Sequence, residues 1–402
     1  MIKPHKACYL LLLLLLSLLC CKKPYNPPAI TGNGSYLVVE GVINSGADST
    51  TITLSRTVNV SSAHTTNPVL NATVAVQSDQ NVSYPLTETT NGNYVSPGLN
   101  LDVAHQYRLS ITAPNNEQYQ SDLVPVNITP PIDSVGFKIL SVPADTGIQI
   151  YANAHDPTNK VKYYRWEYSE AWKFHPKYIS YYISNGTTLV VRTQAQDVST
   201  CYANDVSSDI VLGTSAKLKQ DVIYQNPIIF IPSTSEKIEA GYSILLRQYA
   251  LTADAYNFWV SLKKNTEQLG SIFDAQPSQL TGNIHCITNP SEPVIGYISV
   301  STVPSKRIFI SNAQLPAWLP IYPYNCPEPF CIQSLRTCSD TVHLGSSSYY
   351  TLLISQSNTN VDAGLPPLNG DQLPGYFFVE PRQCDDCTVR GTVTPPPFWK
   401  VF

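Results

Sequence analysis

Between residues 36 and 128, apolar and polar positions alternate in short bursts separated by turn residues. Tyr36-Leu37-Val38-Val39-Glu40-Gly41-Val42-Ile43 is a β-rich run. Thr51-Ile52-Thr53-Leu54-Ser55, Ala72-Thr73-Val74-Ala75-Val76-Gln77 and Tyr107-Arg108-Leu109-Ser110-Ile111-Thr112 alternate with a period of two. That period puts one set of side chains on each face of a strand. Asn91-Gly92 precedes Tyr94-Val95 and marks a hairpin, because both residues tolerate positive φ. Short strands at regular spacing with turns between them predict a β-sandwich over 36–128, of immunoglobulin or transthyretin-like kind.

Val126 to Asp133, with Pro130-Pro131, interrupts the alternation and sets a domain boundary. Beyond it, Gly147-Ile148-Gln149-Ile150-Tyr151 and Tyr163-Tyr164-Arg165-Trp166-Glu167-Tyr168 read as strands, the second placing Tyr164, Trp166 and Tyr168 on one face. Tyr178 to Ile183, Thr188 to Val191, Ile295 to Val300 and Arg307 to Ile310 are further strand candidates. The pattern changes once, near 252–268, to the spacing of an amphipathic helix. Thr252 can cap it, Asp254 suits its first turn, Ala255, Phe258, Trp259 and Leu262 share a face, and Gly270 can stop it. From Asn312 to Phe402 the chain is loop-rich and cysteine-bearing. The expected fold class is therefore mainly β. It has two sandwich-like domains, the second fibronectin-like and spanning 129–402, with one inserted helix and a disulfide-bearing C-terminus.

The N-terminus changes the compartment. Lys3 and Lys6 precede the leucine run Leu10 to Leu16, then Ser17, Leu18 and Leu19. A positive start and an apolar stretch about half the ~20 residues needed to span a bilayer read as a signal peptide over 1–20. In Leu18-Leu19-Cys20-Cys21, Cys21 has Leu three residues before it and a small residue just before it, the pattern of a lipidation site. Lipid chains contribute ~0.8 kcal/mol per buried methylene, and two or more anchor a protein stably. Residues 21–35, with Pro24, Pro27 and Pro28, then form an extended tether. Charged residues are only 13% and the net charge is −4. That balance gives no support for nucleic acid as a partner.

Outside the leader and anchor (Cys8, Cys20, Cys21) seven cysteines remain: Cys201, Cys286, Cys326, Cys331, Cys338, Cys384 and Cys387. In an oxidising envelope they read as disulfides with one thiol left over. A clasp within Cys326–Cys338, a bridge using Cys384 or Cys387, and a long-range Cys201–Cys286 pair are the expected sets. Cys384-Asp385-Asp386-Cys387 lacks the following helix that a redox pair needs, and a zinc site would want a second CxxC. His64, His105, His155, His175, His285 and His343 are scattered, with His285-Cys286 the one local pair. No zincin, nucleophile-elbow, phosphate-loop or calcium-loop spacing occurs, and the Ser261-Leu262-Lys263-Lys264 stretch lacks the partner motifs of a serine–lysine enzyme. No catalytic residue, cofactor or metal site is expected.

Several segments together resemble the Bacteroidota outer-membrane lipoproteins grouped as domain of unknown function 4249. They are Leu37 to Ile43, Tyr164 to Tyr168, Arg247-Gln248-Tyr249, Phe258-Trp259 through Asn265-Thr266-Glu267-Gln268-Leu269-Gly270-Ser271-Ile272-Phe273-Asp274, Gln276-Pro277-Ser278, Thr281-Gly282-Asn283-Ile284, Lys306 to Phe309 and the closing Cys384-x-x-Cys387-x-x-Arg390-Gly391 with Phe398-Trp399. The resemblance implies an outer-membrane lipoprotein encoded beside TonB-dependent transporters. It also implies a non-enzymatic accessory or cargo-binding role. A structural or assembly role in the envelope, or a hydrolase with a cleft hidden from the sequence, are the alternatives. Surface-displayed lipoproteins of that phylum carry acidic residues after the lipidated cysteine, whereas this chain has Lys22-Lys23, which leaves both faces of the membrane open.

Overall fold

A computed structural model of the chain describes residues 35–58, 67–142, 145–180, 182–184, 189–267, 280, 282–322, 324–326, 352–355, 376–378 and 382–400. The signal peptide, Cys21 and the tether lie outside these residues, as do Gly270, Cys331, Cys338, His64 and His343.

The N-terminal alternation folds into β1 (Leu37–Asn44), β2 (Thr50–Arg56), β3 (Thr73–Ser78), β4 (Ser83–Glu88), β5 (Asn93–Ser96), β6 (Gln106–Thr112), β7 (Gln118–Ser121) and β8 (Val124–Asn127). The chain then continues through β9 (Ile132–Val142), β10 (Asp145–Asp156), β11 (Tyr163–Phe174), β12 (Tyr182–Ser184), β13 (Leu189–Val191), β14 (Cys201–Val206), β15 (Val211–Thr214), β16 (Asp221–Pro232) and β17 (Gly241–Leu251). Helix α1 (Ala253–Glu267), β18 (Ile284–Cys286), β19 (Val300–Ser301), β20 (Ser305–Ser311), β21 (Leu352–Ser355) and β22 (Tyr376–Phe378) complete the order. The protein is mainly β, with one α-helix among the described residues.

The N-terminal unit is not a two-sheet sandwich. Its strands run β6-β3-β4-β5-β2-β1-β19-β8, and β8 hydrogen-bonds back to β6, so eight strands close into a ring. Closure depends on β19, which comes from much later in the chain and lies parallel between β1 and β8. Alternation in and out is common to sandwiches and barrels, so the sequence pattern alone cannot separate them. Leu37, Val39, Ile52, Leu54, Val74, Val76, Leu109 and Ile111 fill the interior. This is the reverse of a lipid-facing barrel, whose outer band is apolar. Asn91 and Gly92 both take positive φ, 55° and 75°, in the β4–β5 turn, as the dipeptide predicts. Gly92 has a second reason to be glycine: an added Cβ would sit 2.4 Å from the carbonyl oxygen of Leu54.

The boundary at 128 marks where the chain leaves the barrel, not where the barrel ends. Ile284, Cys286, Val294, Ile298 and Val300 all lie in its core. The segment 295–299 runs beside β1 through Val39 N–H to Ile295 O (2.8 Å) and Ile43 N–H to Ser299 O (3.0 Å). It is a strand only at Val300–Ser301, because Gly296 interrupts it at φ 151°.

In the second unit a three-stranded sheet (β16-β10-β9) faces a sheet built on β14-β11-β17-β20, with β15 also on β11. The two share one core of Ile148, Ile150, Tyr164, Trp166, Tyr168, Phe174, Tyr242, Ile244 and Leu246. Tyr164, Trp166 and Tyr168 fall on one face, as the period of two requires. The Trp166 indole N–H donates to Gln248 Oε1 at 2.8 Å, which satisfies its polar edge inside the core. Helix α1 begins where expected: Thr252 Oγ1 accepts from Ala255 N–H at 3.1 Å. Of the Tyr178 to Ile183 and Thr188 to Val191 candidates, Tyr182–Ser184 and Leu189–Val191 are the strands among the described residues, in a small sheet with β21 and β22.

Candidate functional site

The strands that supply the second core have a second face, and it is polar. On β11, Arg165, Glu167 and Ser169 alternate with the buried aromatics. Across the ladder on β17 they meet Tyr249, Arg247 and Leu245 in direct register. Helix α1 covers one end of this face. Arg165 is nearly buried, with the Trp259 ring 4.0 Å and the Tyr249 ring 4.7 Å from its guanidinium carbon. A buried charge is costly unless it is paired and its donors are used. Arg165 Nη2 meets Glu167 Oε1 at 2.7 Å, and the two rings supply cation–π contacts. The Tyr249 hydroxyl donates to Glu167 Oε2 at 2.6 Å. Burial, then the Glu167 charge, push the Tyr249 phenol well above its ordinary pKa, so it remains a donor. Glu167 is thus fixed by both oxygens while 40% of its side chain stays open to solvent.

That open edge looks into a cleft of about 860 Å³ between the two units. One wall is the outer face of the barrel, with Glu40 and Val42 from β1, Thr51 and Thr53 from β2, and Asp48 and Ser49 from the turn between them. The other wall is the polar sheet face, with Glu167, Leu245, Arg247 and Tyr249, and with Val303 and Ser305 below it.

The walls are held in place at a junction where the chain crosses twice. Thr302 N–H donates to Asn127 O (3.1 Å) and Thr129 N–H to Thr302 Oγ1 (2.9 Å). Ala250 N–H donates to Thr129 Oγ1 (3.0 Å), and Gln248 Nε2 to Pro130 O (2.9 Å). Val42 from the barrel packs with Tyr249, Leu251, Ala255, Trp259 and Val303 in a separate apolar cluster. A cleft whose walls share a packed junction is formed before any ligand arrives.

The cysteines go elsewhere. Cys201 is bonded to Cys387, and Cys326 to Cys384. Cys286 is a buried free thiol. The expected Cys201–Cys286 pair does not form because Cys201 belongs to the second core and Cys286 to the barrel core. The clasp expected within Cys326–Cys338 is corrected at Cys326, whose partner is Cys384. Cys384 and Cys387 therefore sit in separate bridges, and the CxxC offers no dithiol. Together the bridges pin the C-terminal segment, where Tyr202 and Thr392 also exchange backbone hydrogen bonds at 2.8 and 2.9 Å.

The described histidines each meet a separate carboxylate: His105 with Asp79, His155 with Asp133, His175 with Glu239 and His285 with Asp122. His285 and Cys286 are strand neighbours, so one faces out and the other in. Among the described residues no three His, Cys, Asp or Glu side chains gather as a metal site.

None of the cleft residues is in a catalytic or metal-binding motif, although Glu40, Val42, Glu167, Arg247 and Tyr249 fall in segments that carry the family resemblance. The signal available in the sequence was the charge alternation Arg165, Glu167 within an aromatic strand, which marks a sheet with two working faces. Its meeting with Glu40 and Asp48 depends on how the units dock, which no local pattern encodes. A family model described as Domain of unknown function (DUF4249) matches residues 22–307, a span containing every residue of both cleft walls. No curated protein matches the chain.

Proposed function

We propose, from the fact that the chain belongs to the family described as Domain of unknown function (DUF4249), that it is a lipid-anchored binding module of the cell envelope. It serves a TonB-dependent outer-membrane transporter as a non-enzymatic accessory. The lipid anchor at Cys21 rests on the leader pattern, and the transporter on the family resemblance. The binding role rests on one observation, the preformed cleft between the units. Its volume of about 860 Å³ falls within the usual range for small-molecule sites, roughly 300–1,000 Å³. Glu167, held by Arg165 and Tyr249, acts there as a fixed polar surface. The β units and their bridged C-terminal segment provide a rigid support for the cleft walls.

The test is affinity purification of the native chain from outer membranes in mild detergent, with mass spectrometry of what accompanies it. A stoichiometric TonB-dependent transporter supports the accessory role. A solitary lipoprotein overturns it.

A further inference from the structure

We infer that the cleft takes a zwitterionic ligand, a peptide a few residues long with free ends. Arg247 holds its C-terminal carboxylate, and Glu40 with Asp48 holds its amino terminus. This names the ligand class of the same cleft and rests on the binding reading above.

The protein itself satisfies some of the cleft charges and leaves others open. Glu167 is used at both oxygens, at 2.7 Å by Arg165 and 2.6 Å by Tyr249. Arg247 stands directly opposite it in the β11–β17 register, yet no ion pair or side-chain hydrogen bond engages Arg247 among the described residues. It is half-buried at the cleft wall. A guanidinium offers five donors in a planar fork, and the group that fits it is a carboxylate taken two-pronged. Arg307, in register with Leu245 on the neighbouring strand β20, adds a second positive charge near Arg247. Positive charge with unused donors favours an anionic end of a ligand.

The barrel wall has the opposite sign. Glu40 and Asp48 are exposed, neither has an ion pair among the described residues, and no lysine or arginine lines that wall. An ammonium group suits it. A ligand of a single sign would be repelled at one wall, and a neutral sugar would leave the Arg247 fork without its partner. A zwitterion complements both. The space exceeds what a single amino acid fills. Between the charged ends the walls offer hydroxyls, such as Thr51 and Ser305, for backbone amides, and apolar surface at Val42 and Leu245 for side chains.

The experiment uses the full chain, immobilised in mild detergent, and three forms of one degenerate tetrapeptide pool: free-ended, N-acetylated and C-amidated. A mixed pool of neutral oligosaccharides is the fourth probe. Retention is read by mass spectrometry. Free-ended peptides are expected to be retained, and capping either end should weaken retention about tenfold or more, the effect of losing one charge-assisted contact. Arg247→Ala should abolish the penalty for amidation and keep that for acetylation. The double variant Glu40→Gln/Asp48→Asn should do the reverse. Because these side chains make no ion pair among the described residues, the variants are expected to melt with the parent, checked by circular dichroism. Equal retention of all three peptide forms, or retention of none, overturns the inference. So does retention of oligosaccharides that is indifferent to Arg247→Ala, which would keep the cleft as a binding site for another class. Loss of peptide selectivity with the transporter still co-purifying leaves the accessory role standing, so the two readings fail separately.

Discussion

The two halves of the molecule achieve stability by different means. The barrel buries no charged residue among those described, and its buried polar groups are hydroxyls and amides such as Thr50, Ser121 and Asn283. Asn283 shows how these are satisfied: its amide donates to Ile298 O at 2.9 Å and accepts from Ile298 N–H at 2.8 Å. The barrel closes through the strand pairs β1–β19, β19–β8 and β8–β6 and leaves its one described cysteine as a thiol. The second unit buries Asp156, Arg165, Glu170, Asp221, Asp385 and Asp386, sets tyrosine or tryptophan against Arg165, Glu170 and Asp221, and is tied by two disulfides. Glu170, for example, meets the Tyr242 hydroxyl at 2.5 Å and Lys237 at 2.7 Å. A closed ring needs no cross-links because it has no free edge. An open pair of sheets with buried charge needs partners for every charge, and covalent ties for the segment that covers it. The cleft lies where the two halves meet.

The comparison can be measured because each half carries its own reporter. All 5 tryptophans lie beyond residue 165, so their fluorescence reports the second unit. The Cys286 thiol is 2% exposed in the barrel core, and its labelling, located by peptide mass spectrometry, reports the opening of the barrel. The largest expected effect is that of Trp166→Ala. It removes a fully buried indole and leaves Gln248 Oε1 unpaired, a loss of about 5 kcal/mol from cavity and orphaned-acceptor costs together. The fluorescence midpoint in urea should fall while Cys286 labelling holds. If both move together, the halves unfold as one body and the contrast between them has no thermodynamic content.

Next comes Cys201→Ala/Cys387→Ala, which opens a bridge across a separation of 186 residues. The expected cost is about 3 kcal/mol, again confined to the second unit. An unchanged fluorescence midpoint would show that the C-terminal segment is held by packing, including Trp399 against Tyr202 (5.0 Å), and not by the bridge. In the barrel the matching test is Gly296→Ala. At φ 151°, with a Cβ that would lie 2.4 Å from Val39 O, it should cost about 2–3 kcal/mol and hasten Cys286 labelling without moving the fluorescence midpoint.

Local chemistry was legible in the sequence and long-range assembly was not. The alternating runs became β1, β2, β3, β6, β11 and β20, the Asn91-Gly92 turn formed, and Thr252 capped its helix, because each depends on neighbours a few residues away. Barrel closure depends on Val300 and Ser301 meeting Ile43 and Asn44, a pairing that two-residue strands do not announce. The Cys201–Cys387 bridge was hidden for the same reason. Two cysteines on the same side of a boundary can still fold into different cores, and Cys201 and Cys286 did. The cleft needed all of this first: the β11–β17 register that sets Glu167 against Arg247, and the junction at Thr129 and Thr302 that brings Glu40 opposite them.

The contrast in buried charge also predicts a difference in acid. Asp156 ends β10, and its carboxylate accepts from the backbone N–H of Thr158 (2.8 Å), Lys160 (2.8 Å) and Val161 (2.9 Å). Burial raises its pKa, but these hydrogen bonds to the charged form outweigh that and hold it down at about 2, against 3.8 when free. A depressed pKa means stability that is complete above the free value and is lost as pH falls through the folded one. The window is therefore about pH 4 to 2, and the loss about 2 kcal/mol. The barrel has its own depressed carboxylate, Glu117, held down by hydrogen bonds from Tyr119, Asn115 and Arg56, but its side chain is 30% exposed and solvent trims the effect. Urea titrations followed by tryptophan fluorescence should show the second unit weakening through this window. Asp156→Asn should start lower at neutral pH and run flatter between pH 4 and 2. Hydrogen exchange of β3 and β6 amides should change less than fluorescence over the same range. A variant as steep as the parent would show that Asp156 does not carry the acid sensitivity of the second unit.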